Sequence, residues 1–196
     1  MKLQVSVLSA AIATVSLVSA GLFSGSALAQ QQQQTQQQSR GYAAYNYVGA
    51  AVADHDGGDS ILLEGSYEFK SPYFVSGYYR NFDNDFGSSN DVIAAKLGRY
   101  FWLSQGLTAD AGLRMGHVDF GQNDTGFWGV EANLRQRIEQ FEFYGGLGWV
   151  DYFDAGSDNQ YQLGVNYYIN SDVSVGVGYQ DSEFGDGVRL RGSYHF

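Results

Sequence analysis

The chain has 196 residues, no cysteine and one proline, so one domain is the expectation from length, and disulfides, thiolate metal sites and thiol nucleophiles are excluded. A formal charge of −10 argues against nucleic acid or an anionic surface as a partner. Mean hydropathy is −0.27 and nothing after the N-terminal region is long and apolar enough for a membrane helix, yet 26 glycines, 15 tyrosines and 13 phenylalanines stand beside few charges.

Met1-Lys2 is a short basic start, and Leu3 to Leu22 is mostly apolar or small. Ala27-Leu28-Ala29 is an A-x-A site for a secretory signal peptidase, so residues 1–29 are expected to be a cleaved signal peptide. The alternative is an uncleaved anchor, which the Ala, Ser and Gly content of the run disfavours. The mature chain would then hold 10 basic and 21 acidic residues, a net of −11. Without cysteine, it has no lipid attachment through an N-terminal thiol. Residues 30–40 are a Gln-rich stretch with no apolar residue to bury, expected to be a disordered leader. The domain is expected over 41–196.

From there apolar residues recur at every second position. Ile61, Leu63, Gly65, Tyr67 and Phe69 alternate with Leu62, Glu64, Ser66 and Glu68. Phe141, Phe143, Gly145, Leu147 and Trp149 alternate with Glu142, Tyr144, Gly146 and Gly148. The same period places strands near 42–53, 60–69, 73–82, 91–102, 107–118, 125–137, 141–152, 160–169, 173–181 and 186–196. These segments are about the ~9–11 residues that a tilted strand needs to cross a bilayer. Ten is an even number, as bacterial single-chain barrels have; merging weak early segments would give eight. The first strand leaves its register open, because Tyr45 and Tyr47 could face either way.

Connections at 70–72, 103–106, 138–140 and 170–172 read as short. Those at 54–59, 82–90, 119–124, 153–159 and 182–186 read as longer and rich in Asp and Gly. Short periplasmic turns and longer extracellular loops would produce this difference. If Phe196 ends on the periplasmic side, every Asp-rich loop lands outside.

The apolar face is aromatic at both ends. Phe69, Tyr73, Phe101, Phe141, Tyr167 and Phe196 fall at one rim, and Tyr79, Trp128, Trp149, Tyr161 and Tyr179 at the other. Two aromatic bands separated by aliphatics predict the girdles of a closed antiparallel transmembrane β-barrel, apolar outside and polar inside. A soluble sandwich or lipocalin-like barrel is the competing fold.

The second face carries Glu64, Lys96, Asp110, Arg114, Glu131, Arg135, Arg189 and Arg191, together with Arg80 and Glu142. In a narrow barrel such charges are expected to pair and fill the lumen. The inward glycines are expected to make room for them. A narrow, cation-leaning pore is the alternative.

Asp54, Asp56 and Asp59 loosely match a calcium loop, with oxygen ligands on alternate residues near a glycine, although the twelve-residue EF-hand pattern is absent. Weak Ca²⁺ binding that bridges acidic loops to lipopolysaccharide is the functional reading; solvated turn residues are the bland one. The chain has no Walker A loop, no G-x-S-x-G and no H-E-x-x-H. His117-Val118-Asp119, at a strand end, is the only hint of a surface hydrolase. His55 and His195 complete the imidazoles, and no enzyme activity is expected.

Val188, Leu190, Tyr194 and Phe196 lie at alternate positions leading to a terminal Phe. This ending resembles the C-terminal signal of outer-membrane proteins, with Gly192 departing from it. The chain from about Gly41 resembles the small OmpA/OmpX-like outer-membrane β-barrels. A slighter likeness, in Tyr45-Asn46-Tyr47-Val48 followed by Asp/Gly-rich loops, is to a small-barrel family linked to quorum sensing. The resemblance implies export to the outer membrane of a Gram-negative bacterium, insertion by the barrel assembly machinery, contact with outer-membrane lipid and a monomeric state. It implies little about activity, since small barrels serve many functions.

Overall fold

A computed structural model describes residues 44–85, 87–121 and 124–196. The expected signal peptide over 1–29, the leader over 30–40 and the domain start at Gly41 lie outside the described residues. The described residues form ten strands: β1 Tyr47–His55, β2 Gly58–Lys70, β3 Tyr73–Asn84, β4 Ser89–Ser104, β5 Leu107–Asp119, β6 Asp124–Ile138, β7 Phe141–Tyr152, β8 Gly156–Tyr168, β9 Val173–Ser182 and β10 Gly185–His195. Each pairs antiparallel with its sequence neighbours, and β1 pairs with β10, so the sheet closes on itself. Ten strands, not eight, make the barrel.

Closure follows from the alternation. With side chains at every second residue on one face, Ile61, Leu63, Tyr67 and Phe69 point out of the barrel and stay exposed, while Leu62 and Ser66 are buried inside. The first strand shares this register, with Tyr45 and Tyr47 inside. Tyr45 stacks on Tyr100 at 4.6 Å between ring centroids and tilts against Phe74 at the same distance. This aromatic cluster settles a register that two flanking tyrosines left open.

Strands run further at one rim than turn-forming residues suggested. The expected loops at 54–59 and 182–186 shrink to two-residue turns, because β2 begins at Gly58 and β10 at Gly185. The connection at 153–159 shrinks to the three residues between Tyr152 and Gly156. Local Asp and Gly content reads as loop, but ladder hydrogen bonds with the neighbouring strand override it. The difference in length between the two sides is correspondingly small. At the rim that holds the chain's last residue, Gly106 keeps a hairpin tight at a φ of 74°, and a Cβ there would meet the Arg137 carbonyl.

The exterior is apolar between two aromatic bands. Trp128 meets Trp149 edge-on at 5.2 Å, and Tyr161 lies 6.1 Å from Tyr179 at the acidic rim; Phe141 lies 5.2 Å from Tyr167 at the other. Between them Leu97, Leu113 and Val130 sit side by side on three strands, all exposed. A soluble protein rarely exposes apolar patches beyond a few hundred Å². A soluble barrel also keeps its large apolar residues inside, and this one has them outside with charges within. The band is therefore a lipid-facing surface. Leu113→Arg, in mid-band, should cost ~2–4 kcal/mol in lipid vesicles. Denaturant titration would read it, and an unchanged midpoint would mean that Leu113 faces water.

Candidate functional site in the barrel lumen

Facing strands carry complementary charges into the lumen. Lys96 on β4 donates to Asp110 at 2.9 Å and to Glu131 at 2.8 Å. Arg135 lies 3.7 Å from Asp110, and Asn133 donates to both acids at 2.9 and 2.7 Å. Tyr45 adds a hydroxyl donor to Asp110 at 3.1 Å. Arg114 sits 3.8 Å from Glu131. Elsewhere in the lumen Arg191 pairs with Glu64 at 2.5 Å, and, near the rim of the chain's last residue, Asn166 and Tyr168 donate to Glu142 at 3.0 and 3.3 Å. The side chain of Asp110 is fully buried. An ionised carboxylate there depends on this set of donors, since an isolated buried charge is very costly.

Glycines on β8 and β9 let one side chain lie flat. Tyr144 crosses the β8–β9 wall with its hydroxyl over Gly164 and Gly178, and a methyl group at either position would collide with it. Arg189 donates to that hydroxyl at 3.1 Å and to Gln162 at 3.4 Å.

The mouth at the acidic rim is crossed by the turn between β9 and β10. Glu183, within the connection expected at 182–186, turns inward, and its side chain is 1% exposed. Arg80 pairs with it at 3.1 Å, Tyr78 donates to it at 2.8 Å, and Arg114 lies 3.7 Å away. Burial pushes this carboxyl up, but the two guanidinium groups outweigh it and hold Glu183 below the usual carboxylate range. Phe184 stacks on Phe82 at 4.7 Å and packs against a buried cluster of Val92, Ala94, Val118, Phe127 and Val150. The turn is thus a strap, with an ionic anchor and an apolar one. One signal marks it in the sequence: Glu183 is the only glutamate in the connections read as longer and Asp-rich, and an apolar residue follows it.

Arg137 and Glu68 also belong to the lumen, though the sequence reading did not single them out. Arg137 lies 3.7 Å over the Tyr168 ring, and Glu68 accepts from Tyr100 at 2.9 Å. Inside, the bases Arg80, Lys96, Arg114, Arg135, Arg137, Arg189 and Arg191 face the acids Glu64, Glu68, Asp110, Glu131, Glu142 and Glu183. That balance does not favour a cation-leaning interior.

The three aspartates of the expected calcium loop lie in the tight hairpin between β1 and β2. Asp54 and Asp59 stand opposite each other on β1 and β2, and Asp56 sits at the turn; all three are exposed. Among the described residues no group of three or more His, Asp or Glu side chains is arranged to hold a metal. His55, between two of those acids, is itself buried and bonds Ser60 at 2.9 Å. His117 does not pair with Asp119. It lies on the outer face 3.3 Å from Asp124, while Asp119 accepts from the Gly121 amide. His195 faces inward and bonds Ser174 at 2.9 Å. Val188 and Leu190 are exposed on the outer face of β10, which Tyr194 and Phe196 continue.

No protein family matches the chain, and no curated protein matches it. Solved structures do. The β domain of the Bordetella autotransporter BrkA is 12% identical, with a TM-score of 0.51, over 79% of this chain and 100% of that one. The NanC porin is 9% identical, TM-score 0.47, over 76% and 98%. The KdgM porin is 8% identical, TM-score 0.46, over 76% and 99%. At these identities the likeness is one of fold. Ten strands also exceed the eight of OmpA/OmpX-type barrels, so the broader class of small outer-membrane barrels is the one that stands. With its lipid-facing band and charged interior, the chain is an integral barrel of a Gram-negative outer membrane.

Proposed function

We propose that the protein has a structural or surface-interaction role in the outer membrane, with a lumen that is closed to solutes. The strap carries this reading: Glu183 and Phe184 cross the mouth and are held by the Arg80 pair and the Phe82 stack. Ion pairs between Lys96, Asp110 and Glu131 narrow the section below it without filling it. The connections at the acidic rim are short, so any partner would meet the rim itself. Tyr79 and Tyr161 of the girdle donate there to Asp91 and Asp186 at 2.6 and 2.9 Å, which fixes the outward carboxylates in place.

A narrow pore is the second reading, favoured by one observation, a cavity of about 150 Å³ within the lumen. Planar-bilayer recording separates the two. A closed lumen predicts no resolved steps above the bare bilayer. Regular single-channel steps from the unmodified protein would make it a pore.

A further inference from the structure

The lumen holds seven bases to six acids, and two of the bases, half-buried Arg137 and buried Arg189, have no carboxylate within 4.0 Å among the described residues. Glu64 is matched by Arg191, Asp110 by Lys96 and Arg135, Glu131 by Lys96 and Arg114, and Glu183 by Arg80 and Arg114. Arg189 is buried, yet no carboxylate among the described residues lies within 4.0 Å of it; its hydrogen-bond partners, Tyr144 and Gln162, are neutral. A buried charge without a counter-charge is costly unless something supplies one.

Two amide donors on the same wall also lack partners. Gln160 is 7% exposed and Gln180 4%, and neither Nε2 has an acceptor. The orientation of Gln160 is fixed, because its oxygen accepts from the Arg114 guanidinium, which only donates; its N–H groups therefore point elsewhere. Gln180 stands directly opposite Gln162 across β8 and β9, and Arg189 is on the next strand, β10. Gln160, Gln180 and Arg189 all line the same cavity of about 150 Å³. One water needs only roughly 10–15 Å³ of such space. The wall thus presents a surplus positive charge and two orphaned donors to a space large enough for a small group of heavy atoms.

We infer that this cavity is a binding site for a small oxyanion, a carboxylate or phosphate group, held by Arg189 with Gln160 and Gln180. An oxyanion supplies the missing counter-charge and several acceptor lone pairs at once. A neutral sugar would satisfy the amides but leave Arg189 uncompensated. Binding at this wall needs no conduction, and so does not depend on whether the lumen is closed to through-flow.

Calorimetric titration of the folded protein in detergent tests it, with inorganic phosphate and acetate as probes and with chloride at matched ionic strength and glucose as controls. Phosphate, acetate or both should bind, and whichever binds more tightly identifies the group preferred. Chloride and glucose should give no matching signal. Arg189→Gln should weaken binding about tenfold or more, the scale of a charged hydrogen bond. Gln180→Leu should weaken it several-fold; it removes an orphaned donor and breaks no bond, so it remains usable if the arginine variant fails to fold. Three results would overturn the site: no binding of either oxyanion, equal binding of chloride, or variants that titrate as the parent does.

Discussion

Replacing Lys96 with methionine should destabilise the barrel by about 3–5 kcal/mol, the cost of stranding buried charges. Among the described residues Lys96 is the one cation that touches both Asp110 and Glu131, at 2.9 and 2.8 Å, and the side chain of Asp110 is fully buried. Methionine fills much of the same volume and isolates the charge effect from a packing effect. The two carboxylates would be left to Asn133, Tyr45 and the more distant guanidinium groups of Arg135 and Arg114. Adding Asp110→Asn and Glu131→Gln removes the stranded charges and should return most of the loss. Urea unfolding in lipid vesicles would measure both. A loss below ~1 kcal/mol for Lys96→Met would mean that water already screens the trio, as at a surface pair, and that the lumen is wet and open.

Releasing the strap should turn a silent barrel into a conducting one. The double variant Glu183→Gln, Phe184→Ala removes the ionic anchor on Arg80 and the ring stacked on Phe82. It leaves every strand residue in place. In planar bilayers it should show discrete steps where the parent shows none. The ionic anchor also sets a pH range. Because the Glu183 carboxyl is held below its usual range, its contribution is complete above the unfolded value of about 4.3. It is lost only as pH falls through the lower, folded value. The parent should therefore stay closed at mildly acidic pH. A double variant as silent as the parent would show that the strap is not the barrier.

The features legible in the sequence were those with local causes. The alternation of Phe141 to Trp149 against Glu142 to Gly148 placed β7 at the residues where it lies, and the aromatic positions at both rims foretold the bands. What escaped depended on distant partners. The inward turn of Glu183 rests on Arg80, 103 residues away in the chain. The register of β1 rests on Tyr100 and Asp110, far from Tyr45. Asp54 and Asp59 read as loop because Asp and Gly favour turns, yet they end up as a cross-strand pair. The surplus charge on Arg189 was equally hidden. It shows only once the lumen bases are set against their acids in three dimensions.

The central claim, a closed barrel embedded in lipid, is tested most directly by gel mobility. A closed barrel has every strand paired and no free edge, so it unfolds slowly in detergent. The protein extracted from membranes should run at a different position on a denaturing gel when unboiled than when boiled, and it should need detergent to stay in solution. Identical migration before and after boiling, or recovery in a soluble fraction without detergent, would contradict the membrane barrel.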